Sequence, residues 1–142
     1  MTSVPRPAID WGQLPLVIAG GAAGVLLRYL LTGATGAGAS GVFLPILAIN
    51  IVGSFLLGVV VGALGDRAPR RRAFLGTGVL GGFTSYSALA PAFGYAGLFA
   101  VGPALGAMLM YAGIMLAVVA GSVAGALAGL AIGGSASKRR RS

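Results

Sequence analysis

Four long apolar runs organise the chain, at roughly residues 14–31, 42–64, 74–98 and 103–132. Each holds about 18–30 residues, enough for a helix to cross a hydrocarbon core of about 30 Å. The links between them are short: residues 32–41, residues 65–73 and a few positions around Phe99. Apolar and polar positions do not alternate with period two, which argues against a β-barrel. Lipid offers no partner for a free backbone group, so the runs are read as helices. The pattern predicts an all-α polytopic membrane protein with four transmembrane helices. They form a single domain over residues 1–142, with loose tails at about 1–12 and 133–142. The first run fits a cleaved secretory leader badly, because Arg28 lies inside it and only Arg6 precedes it.

Composition agrees with this pattern. Hydrophobic residues make up 57% of the 142-residue chain and charged residues 8%, with 26 glycines besides. A soluble fold could not cover its surface with so few charges, and a disordered chain would be far less hydrophobic. Cysteine and histidine are absent, and the acidic residues are only Asp10 and Asp66. Paired-carboxylate, triad and carboxylate-metal chemistry therefore cannot be assembled within one chain, which speaks against an enzyme.

The net charge of +8 is placed asymmetrically. Arg6 precedes the first run, Arg67, Arg70, Arg71 and Arg72 follow the second, and Lys138 to Arg141 follow the fourth. With four spans, all of these fall on one side. The positive-inside rule then makes both termini cytoplasmic in a bacterial plasma membrane. The basic tail reads as a topology signal touching lipid headgroups, not as a nucleic-acid site.

A few residues carry more than packing information. Pairs such as Gly20/Gly24, Gly58/Gly62 and Gly125/Gly129 have the small-xxx-small spacing that lets helices approach closely. Arg28 within the first span either snorkels or lines a vestibule that attracts anions. Asn50 in the second span needs a partner at its depth. It either bonds a neighbouring helix or points its amide into a pore, with Ser54 on the same side.

The third span contains GTGVLGGFTSYSAL. Gly81-Gly82 should weaken the helix near mid-membrane. A break there is tolerated only where the freed backbone is buried or lines water. Freed carbonyls can hold a small cation, and freed amides and hydroxyls can serve anions. Phe83, Tyr86 and Ser87 would share a helical face, offering ring edges and a hydroxyl to an anion. The plainer reading is a kinked packing helix.

GGAAGVLLRY, NIVGSFLLG and GGFTSYS, in this order on spans one to three, resemble the signature stretches of the Fluc (CrcB) fluoride-channel family. The resemblance covers roughly residues 19–132, with the fourth span matched loosely. It implies an antiparallel dimer that exports fluoride passively. It also implies a structural, untransported sodium ion held by backbone carbonyls, here those of Gly78 and Gly81. The anion path would include Asn50, Phe83, Thr84, Tyr86, Ser87 and Tyr111, with Arg28 as a vestibule or structural residue. Two features depart from the family pattern. Tyr86 stands at a pore phenylalanine position, and Met115 and Val119 stand where the family often places hydroxyls. The one-sided charge further implies a fixed orientation, and hence an oppositely oriented homologous subunit as partner. The chain could then be a non-conducting structural subunit. A small multidrug-type exporter is disfavoured because no span carries a carboxylate.

Overall fold

The structure, a computed structural model, describes residues 11–34, 43–87 and 104–139. The second half of the third apolar run lies outside the described residues.

A single 3₁₀ turn, Trp11–Gln13, leads into helix α1, Leu14–Gly33. Proline in the first turn of α1 costs no hydrogen bond, since that N–H has no helical acceptor. Helix α2 spans Phe43–Leu64. It stops at Gly65, whose φ of +51° favours glycine, and whose N–H still bonds the Val61 carbonyl at 3.0 Å. Pro69 then restarts the chain as α3. The sequence suggested a link over 65–73. Proline in the first turn and Arg70–Arg72 after it instead draw the helix start back to Pro69.

Helix α3 is continuous through three contiguous parts. Pro69–Arg72 is α-helical, Ala73–Leu80 is π-helical and Gly81–Phe83 is α-helical again. The Gly81 N–H reaches back five residues to the Gly76 carbonyl, and also bonds that of Gly78. Helix α4, Ala104–Arg139, has 36 residues. At 1.5 Å per residue it is about 54 Å long. It continues through residues 133–139, where the composition suggested a loose tail. Arg67 donates to the Ser137 hydroxyl at 3.2 Å, tying the last turns to the α2–α3 turn.

The helices pack as two parallel pairs. Gly58 and Gly62 of α2 lie against the carbonyls of Ala126 and Leu130, while Gly129 and Gly133 of α4 lie against those of Phe55 and Val59. Contacts advance along both helices together, so α2 and α4 run parallel. In the same way, Gly20 meets Phe74 and Gly78, and Gly24 meets Val79 and Phe83, so α1 runs parallel to α3. The tight turn at Gly65 sets one pair against the other, and Asn50 before that turn meets Ser85 after it.

The interior is thin: Ile46, Ile49, Ala73, Leu80, Phe83 and Val118 form its apolar part. Large apolar side chains such as Leu44 (74% exposed) and Leu116 (71%) face outward. Lipid, not water, is the solvent such a surface suits. Among the described residues, three stretches are long and apolar enough to cross a membrane: Trp11–Gly33, Leu44–Leu64 and Ala112–Ser137. No strand occurs among the described residues. The architecture is an all-α polytopic membrane protein whose third helix ends at Phe83.

Candidate functional site

The break in α3 falls at Thr84, two residues beyond Gly81-Gly82. Helical geometry persists through Phe83, and Thr84 turns extended at φ −82°, ψ 140°. Gly82 serves close packing instead of the break. A side chain on Gly82 would strike the Gly21 carbonyl, while one on Gly81 would make only an ordinary contact with the Gly76 carbonyl.

What holds the break open is Asn50. Its carboxamide is fully buried, at 0% exposure. Its Oδ1 accepts the Ser85 N–H at 2.8 Å, and its Nδ2 donates to the Ser85 carbonyl at 3.2 Å. One amide side chain thus satisfies both backbone groups of the residue where the helix has ended, which hydrocarbon would otherwise leave unpaired. In a continued helix the Ser85 N–H would bond the Gly81 carbonyl. Asn50 takes that donor and leaves the Gly81 carbonyl without its helical partner.

Three further contacts fix the segment. The Thr84 hydroxyl donates to the Leu80 carbonyl at 2.9 Å. Its methyl sits on Gly53 of α2, one turn from Asn50, where any side chain would collide with it. Gly24 of α1 lies with its bare face on the Val79 carbonyl and the Phe83 nitrogen. Beyond the break, the hydroxyls of Ser85 and Ser87 are 3.0 Å apart.

The sequence-derived residues divide accordingly. Asn50, Phe83 and Thr84 converge on the break, and Phe83 is 7% exposed beside Gly53. Tyr86 is 43% exposed, and Ser87 is exposed. Because the helix ends between them, Phe83 and Tyr86 do not share the helical face that their spacing suggested. Gly81 is exposed and Gly78 buried; the Gly78 carbonyl accepts the Gly81 N–H. Tyr111 lies on α4, and its side chain falls outside those described. Arg28 stands one turn past Gly24 on α1, which places it beside the break. Its Nη1 is buried and, among the described residues, has no hydrogen-bond partner. Met115 is half-buried, and Val119 is 44% exposed.

Sequence reasoning missed Ser85 and Gly53. Gly53 follows Asn50 by three positions, which puts both on the α3-facing side of α2. That spacing could have singled it out in place of Ser54. Ser122 was missed too: it is 4% exposed, and its hydroxyl has no partner among the described residues. No group of three or more His, Cys, Asp or Glu able to hold a metal occurs among the described residues.

Residues 15–134 match the family model of the CrcB-like protein, camphor resistance (CrcB). The chain is 42% identical over 126 residues to the fluoride-specific ion channel FluC of Agrobacterium fabrum, covering 85% of this chain and 95% of that one. It is 40% identical over 131 residues to FluC 2 of Leifsonia xyli, covering 88% and 86%. A shorter stretch of 49 residues is 55% identical to FluC 2 of Corynebacterium jeikeium, covering 34% of this chain and 29% of that one. No solved structure matches the chain significantly. With the family model spanning nearly all of the two parallel helix pairs and the end of α3 between them, the chain belongs to the CrcB-like family.

Proposed function

We propose that the chain is a subunit of a fluoride-specific ion channel giving passive export of fluoride across the plasma membrane. The observation that carries this is the similarity to fluoride channels along most of the chain, together with the Asn50-held break in α3. A conducting site needs many weak donors instead of one strong one, so that the ion can leave. The proton left over from the Ser85–Ser87 hydroxyl pair, the remaining Nδ2–H of Asn50 and the edge of Tyr86 supply such donors, while the Thr84 hydroxyl, committed to the Leu80 carbonyl, fixes the segment that presents them. Phe83 excludes water at the break. Arg28 draws anions toward it without lying in the helix that breaks. Tyr111 would add a hydroxyl from α4.

A structural sodium ion fits the backbone at the break better than any side-chain set. The Gly81 carbonyl has lost its helical donor to Asn50, and the Gly78 carbonyl lies one turn before it on the same helix. The ion would supply fixed positive charge and hold the break; it would not be transported.

The partner is an oppositely oriented homologous subunit forming an antiparallel dimer. Arg67 and Arg70–Arg72 at the α2–α3 turn and Arg139 at the end of α4 gather at one end of the molecule, linked by the Arg67–Ser137 bond. This gathering supports a single orientation with both termini cytoplasmic.

The test is fluoride efflux from liposomes holding the chain with and without an oppositely oriented homologue, with chloride as control. Chloride-excluding fluoride efflux from the pair is expected. Asn50→Asp should cut that flux about a hundredfold or more, because a charge about 4 Å from the path repels an anion by several kcal/mol. Unchanged flux with Phe83→Ile in this chain would instead give it a purely structural place in the pair.

A further inference from the structure

The start of α1, the α2–α3 turn and the first turns of α3 border an open cavity of about 320 Å³ at the basic end. Gln13, Asp66, Arg72 and Thr77 give its polar lining, and Pro69 and Ala73 part of its apolar lining. Arg72 and Asp66 stand side by side, Nη1 to Oδ1 3.2 Å, and both are open to the surroundings. Thr77 lies more than two turns along α3 from Pro69, so the cavity runs from the helix start toward the hydrophobic span. Trp11, 71% exposed, precedes Gln13 at the same end, a position that suits the headgroup level of a bilayer.

We infer that this cavity binds the headgroup of an amine-bearing zwitterionic phospholipid, of the phosphatidylethanolamine type. This headgroup carries a phosphate and a primary ammonium two carbons apart. The cavity carries a guanidinium and a carboxylate side by side. The guanidinium fork suits the phosphate oxygens, and the carboxylate accepts from the ammonium. Thr77 and Ala73 line the way down to the acyl chains. The chain has only two acidic residues, and one of them stands here among Arg67, Arg70, Arg71 and Arg72. Those arginines attract any anionic lipid; Asp66 adds discrimination. A choline headgroup has the same net charge but no N–H to give Asp66. A glycerol headgroup brings a phosphate and no cation to offset the carboxylate. The inference rests on the membrane-spanning fold and not on the ion that is carried.

Native mass spectrometry of the full chain, released from micelles containing equal amounts of ethanolamine, choline and glycerol phospholipids, tests it. Ethanolamine lipid is expected at about two- to fivefold the occupancy of choline lipid, the range of one exposed ion pair. Asp66→Asn should bring the two to parity, and Arg72→Gln should lower both. Circular dichroism checks that these surface variants keep their helix content. Equal occupancy in the unmodified chain, or a preference that survives Asp66→Asn, overturns the proposal. Preference for glycerol lipid would assign the whole end to unselective attraction by its arginines.

Discussion

The two parallel helix pairs use the same device to different ends. In α2–α4, glycines of both helices meet the opposite backbone directly: Gly58 and Gly62 from one side, Gly129 and Gly133 from the other. Both helices continue through it unbroken. In α1–α3, Gly20 and Gly24 bring the backbones equally close, yet α3 widens into a π-helix and ends at Thr84. Close approach therefore does not break a helix. What differs is a buried polar group offering the backbone another partner, and only the second pair meets one, in Asn50 reaching across from α2.

Substitutions can separate these roles. The largest effects belong to the seams. Gly24→Val and Gly129→Val force a branched side chain into backbone, at a cost of about 3 kcal/mol or more. Both should abolish monodisperse protein in detergent. The milder Gly24→Ala should raise hydrogen exchange around residues 79–85, and Gly129→Ala around 55–62. Equal loosening of both pairs by either variant would show that the pairs are not independent. Next is Asn50→Leu, which keeps the branched shape, though bulkier, and leaves the Ser85 N–H and carbonyl unpaired. A loss of about 2–4 kcal/mol in thermal or denaturant unfolding is expected. A loss below about 1 kcal/mol would mean that α3 simply continues as helix in the variant. Thr84→Val keeps the methyl on Gly53 and removes only the hydroxyl bond to Leu80, for about 0.5–1.5 kcal/mol by the same measurement. Smallest is Ser122→Ala in the α2–α4 seam. Its hydroxyl has no partner among the described residues, so removal should be neutral or stabilise by up to about 1 kcal/mol. Destabilisation there would reveal a hidden acceptor.

The elements governed by local chemistry were legible in the sequence. Apolar length set α1 and α2, small-residue spacing named Gly20, Gly24, Gly58, Gly62 and Gly129 of the seams but not Gly133, and the arginine clusters marked one end. The location of the break was not legible, although its neighbourhood was. Gly81-Gly82 looks like a weak point because glycine costs helix stability. At these positions that cost is outweighed by what Gly82 allows, direct contact with the Gly21 backbone. Thr84, an ordinary residue, breaks instead because its neighbour's backbone is bonded by a side chain far away in sequence. The end of α4 escaped for a related reason. Glycine, serine and alanine at 133–136 suggest a tail, whereas Val59 and Arg67 supply the contacts that keep it helical.

The Asn50–Ser85 pair also dictates a sequence of events in the making of the protein. Its partners are 35 residues apart, which at 5–20 residues per second takes roughly two to seven seconds to translate. Throughout that interval the second span must wait with an unsatisfied carboxamide, a poor substrate for release into lipid. The nascent span is thereby held near water, or near the insertion machinery, until the third segment arrives to accept it. A single side chain couples the release of the second helix to the entry of the third, so that they are delivered as a pair.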